Sequence, residues 1–245
     1  YTKFYLNPLY LLNSNLILRK VPIGLEGRLV GQFSLGNQIV KAGVTFVRSQ
    51  TSKISNVNVE FQNLSLNALA QLDDRLRPLE GITSNLDGTV VTELDSSGKL
   101  NAGSYQIFMG EGAVKVSPFW EKSLPLKTLQ AEGTFDIAEK QLLVSDSTII
   151  VGRAGESDTL LKVSGFVIDE GPSRLLSYQL SADRMAVKEL STYWPSGIPS
   201  TTRSWVLERS KEGILTNIEF DNEIRLQKKK GSKVEKIREF ISLDF

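Results

Sequence analysis

Histidine and cysteine are both absent from the 245 residues. Their absence removes disulfides, thiolate nucleophiles, the usual zinc ligands and every histidine-based triad. An excess of charge of one sign is also missing: 29 Lys and Arg stand against 28 Asp and Glu. No global field therefore draws nucleic acid or an anionic membrane surface, and a general nucleic-acid binder is disfavoured. No uninterrupted apolar run reaches about 18 residues, and Tyr1 to Tyr10 show no basic stretch leading into an apolar one, so neither a membrane span nor a signal peptide is read. A carboxylate-only calcium loop of the D-x-[DN]-x-[DN]-G kind does not occur either. Zero cysteine suits an oxidising compartment as well as a reducing one.

What is present is a 40% hydrophobic, 23% charged chain, enough to bury a substantial core in one elongated β domain or two ordinary ones. It opens inside a strand-like apolar segment and stops on the strand-like Ile237 to Phe245, which reads as a piece of a longer protein whose anchor or export signal lies elsewhere. Period-two alternation dominates, as in Val57, Val59 and Phe61, in Tyr105, Ile107 and Met109, and in Leu161, Val163 and Gly165. Turn signals separate such runs: Leu35-Gly36-Asn37, Asp87-Gly88, Ser96-Ser97-Gly98, Gly110-Glu111-Gly112 and Glu170-Gly171-Pro172. The expected fold is mainly β: a long, mostly antiparallel curled sheet of many short strands, forming an open groove, with a few short helices.

Helical spacing is confined to Leu66 to Leu76, Ala186 to Tyr193 and Ser200 to Ser210, the last with Ser200 as its cap and Gly213 just past its end. A weak internal repeat near 54–94 and 176–220 lays Phe61 to Leu69 on Ala182 to Leu190 at an offset of 121 residues, and Gly88 on Gly213 at an offset of 125. Two copies of strand, short helix, strand are suggested, within a single elongated segment spanning 1–245.

Candidate catalytic patterns dissolve on inspection. Ser96-Ser97-Gly98-Lys99 matches S-x-x-K, but it falls in a hairpin turn that cannot hold lysine one helical turn from serine. Asp73 and Asp74 point about 100° apart on a helix, with Arg75 and Arg77 nearby to offset their charge. Lys228, Lys229, Lys230 and Lys233 read as a hairpin tip, a solvated loop in preference to an anionic lipid or phosphate contact. Asn63-Leu64-Ser65 is a formal glycosylation sequon without a context to use it. Tyr193, Trp194 and Trp205 suit packing of short helices against the sheet. A sugar-binding role using Tyr193, Trp194 and either Glu189 or Glu208 lacks the paired carboxylates of a glycosidase. No enzyme activity and no cofactor are expected.

The segment Val187-Lys-Glu-Leu190-Ser-Thr-Tyr193-Trp194-Pro195-Ser-Gly197-Ile198-Pro199, followed by Arg203-Ser-Trp205-Val206 and Gly213, resembles a signature of the bacterial AsmA-like proteins, in their YhdP-type branch. Phe61 to Leu69, with Leu79-Glu-Gly81 and Leu86-Asp-Gly88, is similar to that family's preceding unit, so the resemblance spans residues 54–220. Its motif residues are Trp194, Pro195, Arg203, Trp205 and Gly213. The resemblance implies a Gram-negative envelope protein, anchored in the inner membrane through a segment not present here and reaching through the periplasm. Such proteins are bridge-like carriers that move phospholipid toward the outer membrane along a curled β-sheet groove, without catalytic residues. The lining expected is Val57, Val59, Phe61, Tyr105, Ile107, Met109, Leu161 and Val163. The alternative is a structural or tethering module of the envelope with the same fold and a filled interior.

Overall fold

The computed structural model describes residues 10–35, 38–51, 54–72, 74–115, 122–152, 158–193, 208–209, 212–228 and 234–244. Thirteen strands join in one antiparallel sheet. The first six are β1 (Tyr10–Val21), β2 (Gly24–Leu35), β3 (Gln38–Ser49), β4 (Ser55–Ser65), β5 (Asn85–Leu94) and β6 (Leu100–Met109). They are followed by β7 (Gly112–Val114), β8 (Leu124–Asp136), β9 (Gln141–Val151), β10 (Thr159–Asp169), β11 (Ser173–Ala186), β12 (Ile214–Lys228) and β13 (Val234–Asp244). Apart from β7, which pairs with β8, the strands lie in the sheet in their sequence order. β7 continues the line of β6 along β8 in unchanged register, Met109 facing Leu129 and Gly112 facing Leu126, so the two are one strand interrupted at Gly110-Glu111. The sheet is open: among the described residues β1 pairs only with β2, and β13 only with β12.

The mainly β, antiparallel expectation is met, but the strands are longer than the alternation suggested: all except β7 run 10 to 15 residues. Bulges hide their length. An extra residue in β4 shifts the pairing between Phe61 and Leu64, where Asn63 takes φ +62 and its N–H donates to the Asp87 carboxylate at 2.6 Å. β1 has the same device at Asn13, φ +45. Asparagine tolerates this left-handed geometry better than most residues, and each bulge moves the apolar phase of the sequence by one.

Of the predicted turns, those around Ser96-Ser97-Gly98, Gly110-Glu111 and Gly171-Pro172 fall between strands, and Gly36-Asn37, outside the described residues, lie between β2 and β3. Asp87-Gly88 is a correction: it lies inside β5. Gly88 is there for space, since a Cβ would come within 2.9 Å of the Phe61 ring and 2.7 Å of the Gln106 carbonyl oxygen.

Helices are few. α1 (Leu66–Ala70) follows β4 without a loop, capped by Ser65, whose hydroxyl accepts the Ala68 N–H at 3.1 Å. The predicted helix over Leu66 to Leu76 stops early, and a 3-10 helix over Asp74–Gly81 takes its place, with Pro78 inside it. α2 (Val187–Tyr193) grows directly out of β11, and its first N–H, from Val187, donates to the Gly213 carbonyl at 3.1 Å. α1 and α2 begin 121 residues apart, at Leu66 and Val187, the offset that lays Phe61 to Leu69 on Ala182 to Leu190. The second repeat anchor does not superpose: Gly88 lies within β5, whereas Gly213 precedes β12. The third predicted helix lies outside the described residues except for Glu208 and Arg209, which are helical.

Three glycines inside strands face aromatic side chains on adjacent strands. A Cβ on Gly27 would sit 2.1 Å from the Phe46 ring, one on Gly103 2.6 Å from Phe135, and one on Gly133 2.6 Å from the Tyr105 hydroxyl. Each ring covers bare backbone where a side chain would otherwise stand, the device known to compensate strand glycines. Gly133 has the least freedom, because its Cβ would also lie 1.9 Å from the Leu143 carbonyl oxygen. In urea unfolding, Gly133→Ala is expected to cost about 2–3 kcal/mol, since backbone cannot move aside. For Gly27→Ala the three nearest atoms all belong to the Phe46 ring, which can give way, so it should cost about 1 kcal/mol, and Gly27→Ala with Phe46→Leu should lose less than the two single losses added together.

Candidate functional site

Register decides which side chains share a face, because directly opposed residues of an antiparallel sheet point the same way. Leu16, Leu29, Val44, Val59, Val90 and Tyr105 stand side by side on β1 to β6. The row continues through Gly133, Val144, Gly165 and Tyr178 to Asn222 on β12. A parallel row holds Leu18, Gly27, Phe46 and Val57, then Thr92, Gly103, Phe135 and Leu142, and ends on Val167, Leu176 and Ile224. The opposite face reads Glu60, Thr89, Gln106, Glu132 and Asp146.

The few polar residues in the apolar rows turn inward on the protein itself. Thr92 donates its hydroxyl to the Ala102 carbonyl at 2.7 Å, and the Asn222 amide donates to the Tyr178 hydroxyl at 3.0 Å. Tyr105 lies across Gly133 and donates to the Leu143 carbonyl at 3.1 Å; burial pushes its phenol pKa up.

One end of this face is covered and the other is not. At the end where α1 and α2 sit, two packed clusters form. One joins Leu66 of α1 and Ile82 to Met109 and Leu126; the other joins Leu190 and Tyr193 of α2 to Val151, Leu161, Ala182 and Ile218. Toward the tight hairpin turns, nothing among the described residues covers the rows. Val57, Val59, Phe46, Val90 and Val144 are half-buried, Leu142 is 43% exposed, and on the outermost strand Leu16 and Leu18 are 60% and 56% exposed. This uncovered strip of the apolar face is the candidate site.

All eight lining residues expected from sequence lie on this one face. Val57, Val59, Phe61, Tyr105, Ile107 and Val163 are half-buried on the strip, whereas Met109 and Leu161, 4% and 6% exposed, belong to the packed clusters. Of the motif residues, Gly213 immediately precedes β12 and meets no atom within 4 Å at its Cβ position; Trp194, Pro195, Arg203 and Trp205 lie outside the described residues. Sequence reading missed Leu16, Leu29, Val44 and Val90, which alternation in β1, β2, β3 and β5 signals equally well, and apart from Gly165 it missed the glycines, whose parity matches the apolar residues beside them.

Ser96 and Lys99 are exposed in a turn that Asp95 organises by accepting the N–H groups of Ser97 and Lys99 and the Ser97 hydroxyl, which holds its carboxyl below the usual range. Asp74 and Arg77 form an exposed ion pair at 2.8 Å; Asp73 lies outside the described residues, as do Lys229, Lys230 and Lys233. Tyr193 is buried in the α2 cluster, so it offers no open ring to a sugar. Among the described residues no group of three His, Cys, Asp or Glu could hold a metal, and no helix is long and apolar enough to cross a membrane. No protein-family model, curated protein or solved structure matches the chain.

Covered and uncovered apolar positions should separate in stability measurements. Leu161→Ala is expected to cost about 2–5 kcal/mol and Val59→Ala about 1 kcal/mol, by urea unfolding. An absorbance titration should show a tyrosine ionising above the usual range that Tyr105→Phe removes. The raised folded pKa means stability is lost as pH climbs past the unfolded value, where the unfolded chain ionises first.

Proposed function

We propose that this chain is a segment of a non-enzymatic, bridge-like lipid transfer protein of the Gram-negative periplasm, carrying phospholipid acyl chains along the uncovered strip between inner and outer membrane. One observation supports this above the others: rows of mostly apolar residues run across successive strands, while on the other side the row of Glu60, Thr89, Gln106 and Glu132 is polar. The Trp-Pro segment of the sequence adds the resemblance to AsmA-like proteins.

Moving two acyl chains through water exposes roughly thirty methylenes at about 0.8 kcal/mol each, a barrier on the order of 25 kcal/mol. Shielding must therefore be nearly continuous. Strands stack about 4.8 Å apart, so a row across eleven strands extends on the order of 50 Å, longer than an extended acyl chain. Because each strand adds the same step, the surface lengthens without changing its cross-section. Covered positions at the helix end supply a firm wall, and the uncovered rows supply the floor.

A structural or tethering role draws on a different observation, the packed clusters at the helix end. The two readings part on lipid occupancy. With a photo-crosslinking amino acid at Val59 or Val90, phospholipid should be captured in cells at least several-fold better than from Glu60 on the polar face. Equal capture from both faces, with no co-purifying lipid by mass spectrometry, favours the tether and discards transport.

A further inference from the structure

On the uncovered side the apolar rows end in charge. The terminal row of the same face reads Lys20, Leu25, Arg48 and Ser55, on β1 to β4. We propose that Lys20 and Arg48 form a seat for the phosphate of a phospholipid whose acyl chains lie on the adjoining rows. This rests on the lipid-carrying reading and adds to it a headgroup position and a chemical selectivity.

The two cations stand on either side of Leu25, two strands apart, so their Cα atoms are about 10 Å from each other. Side chains of that length converge readily on one anion between them. They line an open cavity of about 720 Å³ together with Gln50 and Ser96, and among the described residues no carboxylate lines it. Neither Lys20 nor Arg48 pairs with a carboxylate among the described residues. The contrast lies at the same end of β10 and β11, where Asp169 and Arg174 face each other on the apolar side at 3.6 Å and offset one another's charge.

The rim is held by backbone. Gln50 N–H donates to the Ile23 carbonyl at 3.0 Å and Ser49 N–H to the Ile54 carbonyl at 3.1 Å, tying the β1–β2 turn to the β3–β4 connection. Gly24 permits this approach, since a Cβ there would lie 1.8 Å from the Arg48 carbonyl oxygen. Arginine offers a planar fork to phosphate oxygens and lysine a point charge, with the Gln50 amide and Ser96 hydroxyl as further donors. Leu25, between the cations, continues into Gly27 and Leu29 along β2, so a lipid seated here would run its chains from the charged rim onto the apolar rows.

The test uses the 245-residue chain with a photo-crosslinker at Val57, next to the rim, and at Val59. It is offered phosphatidylglycerol or diacylglycerol with the same acyl chains. We expect Val57 to capture phosphatidylglycerol about tenfold better than diacylglycerol, with Lys20→Gln/Arg48→Gln abolishing that preference and leaving diacylglycerol capture unchanged. Lys20→Arg should keep it. A preference that persists in the double glutamine variant, or no preference in the unaltered chain, overturns the seat while lipid carriage stands. Failure to capture either lipid at both positions overturns the seat and the lipid-carrying reading together. Inorganic phosphate that protects Lys20 and Arg48 from chemical modification as well as phosphatidylglycerol does marks a free-anion site and overturns the lipid assignment.

Discussion

Everything in this sheet depends on register. Side chains alternate strictly along a strand, so a slip of one residue would turn an entire apolar set toward water and bring the charged set inside. The antiparallel pairing prevents this from β1 to β12, one neighbour at a time, and the apolar rows are the visible result. Bulges test the constraint. At Asn63 an extra residue enters β4, and the apolar phase moves with it, from Val57, Val59 and Phe61 to Leu64 and Leu66. In β9 the phase moves from Leu142 and Val144 to Ser147, Ile149 and Val151 across the same kind of shift. Sequence and pairing change step together, so the face survives.

Side-chain volume is the second constraint. Glycine and aromatic residues occupy paired positions, Gly27 with Phe46 and Gly103 with Phe135, so large groups lie over bare backbone instead of standing up beside each other. The surface that results is apolar and low in relief. Hydroxyls on it bond to backbone carbonyls, as Thr92 and Ser147 do, leaving few polar atoms for a ligand.

Much of this was legible in the sequence. Val57-Val59-Phe61 and Tyr105-Ile107-Met109 alternate cleanly because no bulge interrupts them, and the structure places both sets on one face. The run Gln141 to Val151 hides its strand, because the bulge near Ser145 breaks the alternation midway. Asp87-Gly88 misled for a physical reason: the pair that favours a tight turn also serves wherever a ring needs a bare backbone. Which apolar positions are covered was not legible. Met109 and Leu161 alternate like Val59, and only the docking of α1 and α2 on the far end distinguishes them.

The pairing of strands with their sequence neighbours has a consequence for how the molecule forms. No contact between distant parts of the chain must be found before the rest can assemble, so the entropic cost of loop closure is met in small steps. Each hairpin presents a finished edge on which the next strand condenses, much as units add in a linear repeat. A chain emerging end-first from a ribosome or a translocation channel can therefore set its strands in order of arrival. Growth of the sheet and synthesis of the polypeptide run in the same direction.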